Sequence, residues 1–290
     1  MHICRFNNDR LGLVEGTRVF DVTQALEFLP TPTWPYQPGD PLIARLDELR
    51  AAATELRPFA PRYRLDEVSL HSLITAPSKI MAAPANYRLH VEQDVQDPNL
   101  HHGFHNVQLN GLDKPVESLG LFLKANSSLV GPSDGIPLCW RDRRNDHEVE
   151  LAVVIGRAGK NIPAAEAFKH IAGYTIGLDM SVRGTEDRSF RKSADGYTVI
   201  GPWLTTADEI ANPEQLNIWL EVNGVRRQQS STAALTVGIA RMIELASSVY
   251  TLYPGDVLLT GTPEGVSQVN PGDSLRAGGE GLGEFTIQVR

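Results

Sequence analysis

Apolar and polar positions at the start of the chain fall into short runs that predict strands. Ile3 to Phe6, Leu11 to Glu15 and Thr17 to Val22 are separated by Asn7-Asn8-Asp9 and Gly16, residues suited to tight turns. A small β-rich N-terminal unit is the expectation. A proline-rich run follows (Pro30, Pro32, Pro35, Pro38, Pro41), and Leu42 to Leu56 then places apolar and alanine positions at helical spacing with charges between them. This predicts a connector ending in one surface helix. From about Ser69 the pattern changes to β-branched runs cut by Gly and Pro, the signature of a mostly β core. The pattern divides the chain into residues 1–70 and 71–290.

Within the larger part, Glu148 to Ile155 predicts a strand with Glu148, Glu150, Ala152 and Val154 on one face and Val149, Leu151, Val153 and Ile155 on the other. Gly173 to Met180, Leu216 to Val222 and Val257 to Thr260 predict further strands. Between the last two, Ile239, Met242, Ile243, Ala246, Val249 and Tyr250 recur at helical intervals and predict one amphipathic helix. Pro254-Gly255-Asp256 and Pro271-Gly272-Asp273 suit type II turns entering strands. No repeat points to a solenoid or propeller. The expected class is mixed α/β and β-rich.

Composition narrows the function. The chain has 290 residues, 41% of them hydrophobic, enough for one large core or for a core with a small accessory domain. With 35 acidic and 27 basic residues the net charge is -8, and no basic block tracks a phosphate backbone, so nucleic acid is not expected as a partner. No run reaches the roughly 18 apolar residues of a membrane span, and Met1-His2-Ile3-Cys4-Arg5 does not open like a signal peptide. A cytoplasmic location follows as an expectation. Cys4 and Cys139 stand far apart in no spaced motif, which argues against disulfides and cysteine-based zinc.

The candidate chemistry centres on Asp146-His147-Glu148-Val149-Glu150-Leu151. Two glutamates on one face of an apolar strand are costly without a compensating cation, although a half-exposed strand with a solvated edge would escape that cost. Asp179, set among Ile176, Gly177, Leu178 and Met180, adds a third carboxylate in apolar surroundings. Oxygen ligands without a Cys/His pattern favour Mg²⁺ or Mn²⁺.

Asn86-Tyr87-Arg88-Leu89-His90-Val91-Glu92-Gln93 opens a polar, His-rich segment running to about Glu117, which suits a lid. A histidine near a carboxylate there could draw a proton from water. His101, His102 and His105 lack a third ligand and read as solvated. Arg183 and the Arg191-Lys192 pair suit an anionic substrate or a solvated turn. Thr260-Gly261-Thr262-Pro263-Glu264-Gly265-Val266 sits at a strand end, where N–H groups and hydroxyls can hold a carboxylate. It lacks the ending of a P-loop, and the glycines at 278, 279, 281 and 283 precede no helix, so neither nucleotide fingerprint applies.

Taken in order, these segments resemble the fumarylacetoacetate hydrolase superfamily from about Ile80 to the C-terminus. The matching motifs are Asn86-Tyr87 with His90, Phe122-Leu123-Lys124 with Val130-Gly131-Pro132, and Glu148-Val149-Glu150 through Gly156. They continue with Gly173-Tyr174-Thr175 through Asp179 and Arg183, Lys192-Ser193 with Gly201-Pro202-Trp203, and Pro254-Gly255-Asp256 through Thr262-Pro263 and Gly265-Val266.

The resemblance implies a β-roll catalytic domain, usually homodimeric, with Mg²⁺ or Mn²⁺ held by Glu148, Glu150 and Asp179. Lys192 would lie in the active site, and His90 on a lid, paired with a glutamate to activate water. The chain departs from that pattern in having Gln93 where the lid glutamate usually stands, with Glu92 one residue earlier, and Gly184 in place of a second aspartate. Expected substrate contacts are Tyr87, Lys124, Arg183, Thr260, Gly261 and Thr262.

A small 2-oxo acid can chelate one cation through its carboxylate and ketone oxygens, and an enolate formed from it gains from that charge. The expected reaction is hydrolysis of a carbon–carbon bond in a 2,4-dioxo acid of acylpyruvate type, with His90, Glu92 and Lys192 as catalytic groups. A decarboxylase, tautomerase or hydratase acting on a 2-oxo acid is the alternative, and a catalytically silent small-acid binder a further one.

Overall fold

The computed structural model describes residues 1–31, 33–96 and 115–290. His101, His102 and His105 lie outside the described residues. The molecule is strand-rich, with a main sheet and two smaller ones among the described residues.

The main sheet runs in the order Arg62–Arg64, Arg18–Asp21, Arg10–Glu15, His2–Phe6, Thr198–Thr206, Ile171–Asp179, Val149–Ile155, Val257–Leu259, Ile80–Ala82 and Phe122–Lys124. The N-terminal strands therefore extend the sheet that carries the acidic strand: His2–Phe6 pairs antiparallel with Thr198–Thr206, placing Ile3 opposite Leu204. Asn7 and Asp9 take positive φ in the first turn, a conformation that Asn and Asp tolerate better than most residues. The expected helix from Leu42 to Leu56 is interrupted at Arg45. Pro41–Ala44 forms a single turn capped by Asp40, whose side chain accepts from the backbone N–H groups of Leu42 and Ile43, and Leu46–Leu56 follows.

The strand Val149–Ile155 is buried along its whole length, which removes the solvated-edge reading of its glutamates. Its two faces separate as the alternation predicts. Val149, Leu151, Val153 and Ile155 join the core cluster that contains Ile239, Met242, Ile243 and Ala246 of the helix Ile239–Val249. Ala152 and Val154 face a second cluster with Ile3, Leu11, Leu13, Leu46 and Leu49. Each aliphatic side chain buried this way contributes roughly 1.5–3 kcal/mol relative to exposure. The helix departs from expectation only at its end, where Val249 is 64% exposed as the core face runs out.

Glu148 itself lies at a junction. Asn145–His147 forms a separate strand in a small sheet with Ser181–Val182 and Ser267–Gln268, and the chain passes from that sheet into the main one at Glu148. Asp179 sits at the corresponding exit of the neighbouring strand, and its N–H donates to the Glu148 carbonyl at 2.9 Å. This register brings carboxylates 31 positions apart in sequence to one place. Both Pro-Gly-Asp tripeptides form the expected turns: Gly255 and Gly272 take φ of 84° and 96°, and the Asp256 and Asp273 N–H groups close back on Tyr253 and Asn270.

A candidate metal centre and its cavity

Glu148, Glu150 and Asp179 are 5%, 1% and 1% exposed. One ligand oxygen from each lies within 4.8 Å of the others. Three carboxylates this close and this buried repel one another strongly unless cations intervene. The chain supplies part of the compensation. Lys192 Nζ donates to Glu148 Oε2 at 2.6 Å and to Asp179 Oδ2 at 2.8 Å. Lys124 Nζ binds Asp179 Oδ1 and donates to the Tyr197 carbonyl at 2.8 Å. Arg183 connects Asp146, through Nε at 2.7 Å, to Glu148, through Nη2 at 3.0 Å.

The compensation is uneven. Burial pushes the Glu148 carboxyl up, but Lys192, Arg183 and His90 outweigh it and hold that carboxyl well below its ordinary range. Glu150 goes the other way, well above its ordinary range, because burial, Asp179 and Glu148 all disfavour its charge while Lys192 and the Gly261 N–H offset this only in part. An added divalent cation would relieve this excess of negative charge, and three oxygen donors suit a hard ion. The residues present fit Mg²⁺ or Mn²⁺.

The cluster lines a cavity together with His90, Phe122, Arg183, Arg188, Arg191, Lys192 and Thr262. His90, on the helix Arg88–Gln96, is only 6% exposed. The segment before it is tightly anchored. Asn86 donates through Nδ2 to the Val237 and Thr260 carbonyls, each at 2.9 Å, and its Oδ1 accepts from Val237 N and Thr236 Oγ1. The Tyr87 hydroxyl is buried with no hydrogen-bond partner among the described residues; burial, then Glu150 and Glu264, pushes its phenol up.

Several expected site residues take other places. Glu92 points away from the cluster and pairs with Arg88 one turn earlier, at 3.1 Å, with its side chain 49% exposed. On a helix, residues four apart share a face, so Glu92 follows Arg88 and not His90. Lys124 lies behind Asp179 and outside the cavity lining. The hydroxyl donors of Thr260 and Thr262 are spent inside the protein, on the Leu151 and Val149 carbonyls at 3.0 and 2.9 Å. Gly261 N–H is spent on Glu150 Oε2 at 2.6 Å. In this geometry the Thr260-Gly261-Thr262 segment builds the acidic strand's support, and only Thr262 reaches the cavity wall.

Sequence reasoning missed two supporting groups and one at the cavity wall. Asp146 is fully buried between Arg144, 2.8 Å away, and Arg183. Its signal was present, since Asp146, Glu148 and Glu150 stand at alternate positions. Gln228 is buried in the strand Val225–Ser231, where its amide donates to Thr262 Oγ1 and the Pro263 carbonyl, both at 2.8 Å, and accepts from Val149 N at 3.0 Å. Its Oε1 also meets His147 Nδ1 at 2.9 Å, so that nitrogen carries the proton and Nε2 accepts from Ser267. Burial accordingly pushes His147 down to about 4. Nothing in the polar run around Gln228 marks it. Arg188 is the third: it lines the cavity, with its Cζ 5.5 Å from the centroid of the Phe122 ring.

The family profile described as "Fumarylacetoacetate (FAA) hydrolase C-terminal" matches residues 79–290. The chain belongs to the fumarylacetoacetate hydrolase family. Among its relatives, maleylpyruvate hydrolase of Aquipseudomonas alcaligenes is 49% identical over 290 residues, covering 100% of this chain and 99% of that protein. The crystal structure of maleylpyruvate hydrolase from Sphingobium sp. SYK-6 superposes with a TM-score of 0.81 at 36% identity, covering 100% of this chain and 99% of that one. The same enzyme in complex with manganese(II) and pyruvate gives 0.80 at 36% identity, covering 100% and 98%. The mixed α/β, strand-rich architecture is thus that of this family. No helix among the described residues is long and apolar enough to cross a membrane.

Proposed function

We propose that this member of the fumarylacetoacetate hydrolase family is a metal-dependent hydrolase that cleaves a carbon–carbon bond in a 2,4-dioxo acid of acylpyruvate type, with maleylpyruvate as the first candidate substrate. The observation that carries the reading is the buried set Glu148, Glu150 and Asp179, with Lys192 bridging Glu148 and Asp179, in the wall of a cavity that His90 also lines. Full-length similarity to a maleylpyruvate hydrolase supports it. The reading extends to a cytoplasmic homodimer in which residues 71–290 carry the chemistry and residues 1–70 extend the sheet.

A bound Mg²⁺ or Mn²⁺ would supply Lewis-acid polarisation of the 2-oxo acid oxygens. The chain's own residues do the rest. His90 accepts a proton from water, the role for which imidazole is suited near neutral pH. The water oxygen bonds to the distal carbonyl carbon, and the bond between that carbon and the pyruvate methylene breaks. The electron pair leaves as the pyruvate enolate, and His90 returns the proton to the methylene carbon. Pyruvate and a carboxylic acid result; maleylpyruvate yields maleate. Lys192 spends two of its N–H bonds on Glu148 and Asp179, which leaves one for the developing enolate oxygen.

A second reading is favoured by the outward position of Glu92, which pairs with Arg88: a site in which Glu92 does not assist His90 would form and reprotonate an enolate without hydrolysis, as a decarboxylase or tautomerase does. One experiment separates them. Maleylpyruvate, other acylpyruvates and oxaloacetate are each incubated with enzyme in Mg²⁺, Mn²⁺ or EDTA, and products are identified by mass. Metal-dependent release of pyruvate plus a carboxylic acid supports the hydrolase; carbon dioxide or an isomer without hydrolysis overturns it.

A further inference from the structure

The segment from Arg183 to Lys192 supplies Arg183, Arg188, Arg191 and Lys192 to the cavity wall, yet its regular structure is the single helical turn Arg188–Arg191. Arg143, from a different part of the chain, holds it. Arg143 Nε and Nη2 both donate to the Arg183 carbonyl, at 3.0 and 2.6 Å. Its Nη1 and Nη2 donate to the two oxygens of Glu186, at 3.0 and 2.8 Å. One planar fork therefore joins a backbone carbonyl to a carboxylate three residues further on. The Glu186 carbonyl in turn accepts from Arg191 Nε at 2.9 Å, which ties the clamp to the turn that precedes Lys192.

The clamp has a second arm. Arg143 Cζ lies 4.6 Å from the centroid of the Trp140 ring, and that ring meets Phe190 of the short helix with centroids 5.8 Å apart. The loop bearing Trp140 and Arg143 is anchored by Asn145 Nδ2, which donates to the Cys139 and Arg143 carbonyls at 3.3 and 3.0 Å from the strand that leads into Glu148. Gly184 makes room for the clamp. Its φ is not left-handed, so the backbone does not require glycine there. A Cβ at this position would overlap the Arg143 guanidinium and the Glu186 carboxylate. The guanidinium fills the space left where a second aspartate was expected.

We propose that Arg143 is a positioning residue: seated in the space that Gly184 leaves, it holds segment 183–192 so that Arg183 and Lys192 meet Glu148 and Asp179. Arg143 does not line the cavity and acts only through this segment. The inference rests on the reading that Lys192 donates its remaining N–H to an enolate oxygen. A half-exposed ion pair adds little to global stability, so loss of the clamp should disturb Lys192 before it disturbs the fold.

Oxalate is planar and doubly negative, as the pyruvate enolate is, whereas pyruvate carries one charge. The ratio of their dissociation constants reads the position of Lys192 without turnover. It is measured by calorimetry on the Mn²⁺-loaded wild type, R143A, R143K, G184A and the double variant R143A/G184A. Wild type should prefer oxalate by at least about tenfold. R143A and G184A should each reduce that preference by at least about fivefold, and R143K, which keeps a cation but not the fork, should lie between wild type and R143A. The double variant should match R143A within about twofold, because a Cβ at position 184 displaces nothing once the guanidinium is gone.

An R143A protein that keeps the wild-type preference overturns the proposal, as does a wild type that binds both acids alike. A double variant whose loss is the product of the two single losses also overturns it. So does a fall in the number of Mn²⁺ sites per chain with the preference intact, which marks a purely structural role. Should R143A fold poorly, R143K and G184A carry the same comparison. Failure of the hydrolase reading is distinguishable: wild type would cleave no acylpyruvate while the oxalate preference still collapsed in R143A.

Discussion

The backbone N–H of Gly261 donates to Oε2 of Glu150 at 2.6 Å, and it does so from a φ of +102°. An added Cβ there would meet Asn86 Cβ at 2.6 Å. Gly261→Ala therefore strains the backbone, crowds the anchor of the His90 segment and displaces the donor that partly offsets Glu150's negative charge. Strain of this kind costs roughly 1–3 kcal/mol. Denaturant unfolding should show a loss of that size, and Mn²⁺ affinity measured by calorimetry should weaken. Wild-type stability with unchanged Mn²⁺ affinity would refute the structural role of this contact.

His90 lines the cavity but is not one of the clustered carboxylates, so proton transfer and metal binding should separate. His90→Ala is expected to lower kcat for acylpyruvate hydrolysis by about 10²–10⁴-fold, the usual contribution of a positioned acid–base group. Mn²⁺ binding should change little by comparison. Full activity in this variant would exclude His90 as the proton acceptor.

Gln228 satisfies Val149 N, Thr262 Oγ1, the Pro263 carbonyl and His147 from one buried amide. Gln228→Met fills a similar volume but abandons these partners in the interior, and each unsatisfied buried group costs about 1–3 kcal/mol. A marked fall in melting temperature is expected, with kcat reduced because Thr262 and the start of the acidic strand lose their support. A variant as stable as wild type would show that water replaces the amide.

Cys4 is fully buried in the strand His2–Phe6, and burial, offset slightly by hydrogen bonding, pushes its thiol up to about 12. Because the folded-state value exceeds the unfolded one, its contribution to stability is fully present below the ordinary thiol range. That contribution falls as pH rises toward about 12. Native protein should resist alkylation at Cys4 at pH 8, with modification appearing only on unfolding; mass spectrometry of the digested peptide checks this. Rapid native labelling at Cys4 would mean the N-terminal strand opens locally.

The alternation from Asp146 to Ile155 was legible in the sequence because strand side chains alternate regardless of what they face. It identified the acidic strand, its two apolar faces and the carboxylates at positions 148 and 150. The helix Ile239–Val249 and both Pro-Gly-Asp turns were legible for the same reason, since each depends on local spacing or on a dihedral angle that glycine alone adopts readily.

Tertiary structure decided what those groups bond to. The register between Val149–Ile155 and Ile171–Asp179 brought Asp179 beside Glu148, and the meeting of three strands consumed the donors of Thr260, Gly261 and Thr262. The same is true of Lys124 behind Asp179, of Gln228 beneath Thr262 and of Glu92 turned toward Arg88. A side chain's type states how many hydrogen bonds it can make, but its partner depends on segments far away in sequence, and only packing brings those segments together.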